Sequence, residues 1–274
     1  MAETVEKELI SLPTKRSVAP AFDVISKLGI VGHQGTGKTM LTASLPNSLL
    51  IDFEDGCKDH YEAMSINLKK IASENNVTLG QAFIATLEQI KKANKDAGKF
   101  VYDYIVYDGI TAMEKLSHTR ATNLFKASIV GKGMINKGAV INDVVTDVPE
   151  SGWLWFKRGW DEIYDMTVGL SGKCSVYIGH AKQGSLVKQG IKLETNDLNL
   201  AGKAKVDFLR DIDACGMIYR EGNKCKISFK INEKDQTIKS RARHLNEKEF
   251  VISEYDDVTN KLTTHWDLIF PELK

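Results

Sequence analysis

Cysteine is scarce and scattered: Cys57, Cys174, Cys215 and Cys225 form no C-x-x-C pair. That spacing excludes a disulfide framework or a structural zinc site and fits a reducing cytoplasm. Long apolar runs are missing as well. Nowhere does the chain reach the roughly eighteen consecutive apolar residues that a membrane span needs. The opening residues, MAETVEKELISLPTKRSVAP, lack a basic head followed by an apolar stretch, so no signal peptide is expected. A charge surplus is absent too, with 37 Lys and Arg against 36 Asp and Glu. Bulk electrostatics therefore give no case for nucleic acid or a membrane surface, and any basic site must be local. There is no internal repeat and no low-complexity segment. What remains is a chain of 274 residues with globular proportions, 42% apolar and 27% charged. That is long enough for one sizeable core.

Residues 1–22 are polar and broken by Pro13 and Pro20, and read as an N-terminal arm. A core over 23–245 and a C-terminal β hairpin or tail over 246–274 complete the expected organisation. Val24–Val31 reads as a strand, Thr39–Leu45 as a helix, and Ser48–Asp52 as a second strand ending in Asp52, Glu54 and Asp55. Residues 79–96 have helical apolar spacing closed by Gly98, and 102–107 form a buried-type strand. Helices are expected over 111–127 and 153–171, around a polar stretch at 130–152, before a strand at Cys174–Ile178. After residue 210 the pattern alternates like strands, over 214–219, 225–231, 237–243, 249–253 and 262–266. Strands interleaved with helices, then a run of β, predict an α/β fold with a mostly parallel central sheet and antiparallel additions at the C-terminal end.

The sharpest signal is Gly32-His33-Gln34-Gly35-Thr36-Gly37-Lys38-Thr39, a full match to G-x-x-x-x-G-K-[ST] between a strand and a helix. Glycines let the backbone wrap so that successive N–H groups meet phosphate oxygens. Lys38 is expected on the β- and γ-phosphates of ATP, the Thr39 hydroxyl on Mg²⁺, and Met40 beside the loop. A second magnesium anchor is expected at the end of a neighbouring apolar strand. Asp108, closing Val101–Tyr107, fits; the bland alternative is a cap for the following helix. Many such ATPases place a glutamate next to that aspartate, but the next residue here is Gly109. Glu54, after the second strand, is the candidate for orienting water. The alternative is that Asp52, Glu54 and Asp55 are solvated loop acids.

With GHQGTGKT, LLIDFEDG, YIVYDGIT and YIGHAK in that order, the chain resembles the RecA-like P-loop ATPases. It is most similar to the phage nucleotide-binding (AAA-type) branch associated with single-strand annealing and recombination. The resemblance covers roughly residues 24–245 and implies a RecA-like core with Glu54 catalytic and Asp108 on the metal. It also implies that His180, at a strand end, senses the γ-phosphate. It departs from the family at Gly109, where a small hydroxyl residue is usual; at His180 classical recombinases have Gln, whereas the phage branch often has His. His33 reads as incidental.

In such a fold, residues 182–205 would be a DNA-binding loop, with Lys182, Lys188, Lys192, Lys203 and Lys205 on single-stranded DNA. An ordinary solvated loop is the alternative. Residues 130–142 would take the place of a first such loop. Lys239 and Arg241 resemble the pair that reaches a neighbour's nucleotide across a subunit boundary, which implies a homo-oligomer; a charged edge strand is the alternative. Trp153, Phe156 and Trp160 share a helical face and read as packing. The expectation is a cytoplasmic ATPase of DNA recombination or replication, acting with ATP, Mg²⁺ and single-stranded DNA, and with a single-strand-binding or annealing protein as a further partner. The other readings are a nucleotide-gated regulatory module and a small-molecule or nucleotide kinase on the same loop.

Overall fold

Alternating side chains build the central layer. In β4 (Tyr104–Asp108), Tyr104 and Val106 enter one buried cluster, whereas Ile105 and Tyr107 enter the other. Period-two alternation of this kind, apolar on both faces, is what a sheet covered on both sides requires. The computed structural model describes residues 23–57, 62–188, 191–232, 235 and 237–274. The expected arm at 1–22 therefore lies outside the described residues.

The parallel core comprises β1 (Lys27–Gly32), β2 (Ser48–Asp52), β3 (Ser65–Asn67), β4 and β5 (Cys174–Lys188). β6 (Ile191–Leu198) pairs with β5, and β7 (Ala214–Glu221) lies parallel to β1. β8 (Lys224–Ser228), β9 (Lys239–Ser240), β10 (Glu249–Asp256) and β11 (Lys261–Thr264) add antiparallel pairings. The main path runs β11-β10-β8-β7-β1-β5-β4-β2-β3. This is a mixed α/β fold with a mostly parallel centre, as the sequence pattern predicts. β10 and β11 are strands of that same sheet.

One face is covered by α2 (Leu68–Glu74), α3 (Leu79–Ala97), α4 (Ile110–Ala127), α6 (Val144–Asp147), α7 (Gly152–Asp165) and α8 (Gly202–Asp211). The other is covered by α1 (Lys38–Ala43) and by Trp266, Ile269 and Phe270 near the C-terminus. α3 starts at a capping box, Thr78 with Gln81, and stops at Gly98 with φ 63°, as its sequence signals require. On α7, Phe156 and Trp160 are buried, and Trp153, 51% exposed, packs edge-on against Phe156, so the three rings share a face as expected while only two enter the core. The helix ends at Asp165, six residues before the expected end at 171.

Three segments differ from expectation. Residues 182–188 and 191–198 are the two strands of a β ribbon, β5 extended past the sheet and paired with β6 from Ala181↔Leu198 to Lys188↔Ile191; α8 follows at 202. Within 130–142 a helix, α5 (Ile129–Asn136), occupies the expected loop. The basic strand expected over 237–243 shrinks to two residues, because β9 pairs with β7 only at Cys215↔Lys239 and Ala214↔Ser240.

Candidate nucleotide-binding site

The phosphate loop runs from the end of β1 into α1, as its spacing requires. Gly37 takes φ 87° at the start of α1, a left-handed conformation that a side chain would strain. Lys38 is buried and donates to the Gly32 and His33 carbonyls at 2.9 and 2.7 Å. Burial pushes its pKa down, while Asp108 and Glu54 hold it up. The loop is tied to its surroundings at two points. His33 Nε2 donates to Asn196 Oδ1 on β6 at 2.9 Å, and the Cys225 thiol on β8 donates to the Thr36 carbonyl at 3.2 Å.

Sheet register then sets the acidic side. Asp108 lies beside Asp52 across β4 and β2, and His180 beside Gly32 across β5 and β1. Asp52 is buried and accepts the backbone N–H groups of Glu54, Asp55 and Cys57 at 2.9, 2.8 and 2.8 Å. It is therefore the anchor of the turn that presents Glu54, not a solvated loop acid. Glu54 Oε2 accepts His180 Nε2–H at 3.0 Å, and that bond holds its carboxyl below the usual range against the opposing effect of burial.

Gly109 has φ 120°, and a Cβ there would sit 3.2 Å from Glu54 Cγ and Phe53 Cβ. The position that often carries a glutamate is thus the space Glu54 occupies.

Asp108 Oδ2 accepts the Thr39 hydroxyl at 2.7 Å. Burial raises its pKa to about 6; the Thr39 bond and Lys38 oppose this, while Asp52 and Glu54 add repulsion. A buried carboxylate with two acidic neighbours and a hydroxyl beside it is a hard-oxygen pair suited to Mg²⁺. Among the described residues no cluster of three or more His, Cys, Asp or Glu side chains could hold a metal by itself. A magnesium ion here would rely on Thr39, Asp108 and substrate phosphate oxygens.

These groups surround one cavity of about 550 Å³, lined by Gln34, Gly35, Gly37, Lys38, Thr39, Met40, Glu54, Gly56, Asp108 and His180, with Arg220 and Tyr255. Its volume is in the range of small-molecule sites. Arg220 and Tyr255 were invisible to sequence reasoning, since no motif contains them.

A family model described as an AAA domain matches residues 26–134. The match spans β1, the phosphate loop, Glu54 and Asp108, and supports a P-loop ATPase-like chain that binds nucleotide. It stops short of His180, Arg220 and Tyr255. No curated protein matches the chain.

The remaining candidates lie apart. Lys239 Nζ donates to the Leu209 and Arg210 carbonyls, and Arg241 to the Arg210 carbonyl, at the C-terminal end of α8. Burial, with the neighbouring Arg241, depresses the Lys239 pKa. β9 pairs near Ala214, which faces Leu28 at the start of β1, whereas the phosphate loop leaves the end of β1. At about 3.3 Å per residue, that is roughly 13 Å away along the strand. Both side chains are therefore engaged at the opposite end of the sheet from the phosphate-loop cavity. Arg241 lines a second cavity there, of about 580 Å³, with Lys27, Tyr164 and Asp211.

On the ribbon, Lys182 is exposed. Lys203 is exposed at the start of α8, whereas Lys205 pairs with Asp197 at 2.6 Å. The Lys188 and Lys192 side chains lie outside the described residues. Among the described residues no helix is long and apolar enough to cross a membrane.

Proposed function

We propose that this chain binds Mg·ATP and hydrolyses it to ADP and phosphate. The carrying observation is that Lys38, the Thr39–Asp108 pair and the Glu54–His180 pair converge on a single cavity at the phosphate loop. Backbone N–H groups of Gly35–Thr39 and the Lys38 ammonium would take the phosphate oxygens. Thr39 and Asp108 would hold Mg²⁺, which neutralises charge on those oxygens. Glu54, positioned by Asp52 and given room by Gly109, orients the attacking water and accepts its proton. His180 donates to Glu54, so its own position reports whether that carboxylate is engaged.

The resemblance to RecA-like proteins extends the reading to an oligomer acting on single-stranded DNA in recombination. The ribbon that carries His180 at its base and Lys182 beyond it is the natural output surface. Phosphate contacts from such lysines would be sequence-blind and salt-dependent. A second reading, a nucleotide-gated regulatory module, draws support from the Glu54–His180 bond, which occupies the candidate base.

The test is ATP hydrolysis with and without single-stranded DNA over a range of protein concentrations. Stimulation by DNA that steepens with protein concentration is expected for an assembling motor. Slow turnover indifferent to both would retain the ATP site and favour the regulatory module. No turnover and no ATP binding would overturn the proposal.

A further inference from the structure

The cavity continues past the phosphate loop on the side away from the carboxylates. Strand order explains why. β1 lies between β5 and β7, so Glu54, Asp108 and His180 approach from the β2-β4-β5 side, while Arg220 on β7 and Tyr255 on β10 approach from the other. A nucleoside triphosphate whose terminal phosphate meets Glu54 has room for its sugar and base on the side of Arg220 and Tyr255. We propose that these two side chains form the nucleobase subsite and hold a purine by stacking. The inference rests on the nucleotide reading above.

Both groups are planar, and the backbone holds them close to the loop. Arg220 stands opposite Cys225 in the β7–β8 hairpin, and the Cys225 thiol donates to the Thr36 carbonyl at 3.2 Å. The hairpin is thereby pinned to the phosphate loop itself. Tyr255 is half-buried; its hydroxyl donates to Asn260 Oδ1 at 3.0 Å and its backbone N–H to the Asn223 carbonyl at 3.0 Å. One hairpin turn thus holds its backbone and the other its hydroxyl. Arg220 is exposed and has no carboxylate partner among the described residues. Its delocalised cation is available for an aromatic face.

The carboxylates of the cavity all belong to the other side. Stacking responds to the area of the π-face and not to a donor–acceptor pattern. The subsite should therefore separate purines from pyrimidines more strongly than adenine from guanine.

The experiment is equilibrium binding of ATP, CTP and inorganic tripolyphosphate to the wild-type chain and to Tyr255→Ala, Tyr255→Phe and Arg220→Ala. Stacking is worth about tenfold or more per base by alanine substitution. Tyr255→Ala should weaken ATP by about that factor and leave tripolyphosphate unchanged, because that ligand carries no base. Tyr255→Phe keeps the ring and should bind ATP close to the wild-type value. Arg220→Ala should narrow the preference for ATP over CTP.

Wild-type ATP affinity in Tyr255→Ala would overturn the inference, as would an equal loss for tripolyphosphate. A wild-type chain that binds neither ATP nor tripolyphosphate would overturn the nucleotide reading, and this inference with it.

Discussion

Asp108→Asn should make the protein more stable while abolishing the magnesium-dependent hydrolysis proposed for it. Asp108 is only 8% exposed, and burial lifts its pKa from 3.8 to about 6. The folded state therefore binds a proton more tightly than the unfolded chain does. This group's contribution to stability is full below about pH 4 and is lost as the pH rises through about 6. At about 1.4 kcal/mol for each tenfold change in proton affinity, the charged carboxylate costs the fold about 3 kcal/mol at pH 8. Asparagine carries no charge and its oxygen can still accept the Thr39 hydroxyl. Its amide, buried without a partner, costs about 1 kcal/mol.

The net gain is about 2 kcal/mol at pH 8, or roughly 4–6 °C in melting temperature for a chain of this size. At pH 5 the carboxyl is mostly protonated in the folded state, so its cost falls by about half and the gap narrows to under about 1 kcal/mol. Thermal melts of both proteins without nucleotide, at pH 8 and pH 5, test this. A variant less stable than wild type at pH 8, or a gap that ignores pH, would mean that the buried Asp108 charge does not burden the fold.

Other outcomes follow from the same geometry. Lys38→Ala should weaken ATP binding by at least about 100-fold, since it removes a charge-assisted contact to phosphate that is worth about 3 kcal/mol; isothermal titration would show it. Gly109→Ala forces a side chain into φ 120° and within 3.2 Å of Glu54. It should cost about 1–3 kcal/mol in urea denaturation and depress turnover more than ATP binding. Lys239→Ala removes the ammonium from the carbonyls that end α8. It should destabilise the chain by about 1 kcal/mol at any protein concentration. A loss of ATPase activity with unchanged stability would instead favour a role across a subunit boundary.

What the sequence made legible is local. The phosphate loop is eight consecutive residues, and Asp108 closes a five-residue buried strand. Both carry their context in their neighbours. Glu54 and His180 could be nominated singly, but their 3.0 Å bond depends on sheet register, which no local pattern encodes.

Asp52 looked like one of three loop acids, because its three backbone partners lie only two to five residues ahead and leave no mark on composition. The β5–β6 ribbon read as a loop, since its strands are polar and pair with each other instead of burying an apolar face. His33 looked incidental until the ribbon brought Asn196 to it. Arg220 and Tyr255 come from separate strands more than thirty residues apart. Only the topology of the antiparallel extension places them on one cavity.

The most direct test of the central claim is ATP binding and steady-state hydrolysis, measured side by side for the wild-type chain and Glu54→Gln with Mg²⁺ present. The wild-type chain should hydrolyse ATP, and the variant should bind ATP with nearly wild-type affinity but turn it over at least about 100-fold more slowly, within the range for a lost general base. Equal turnover in the two proteins would contradict that claim.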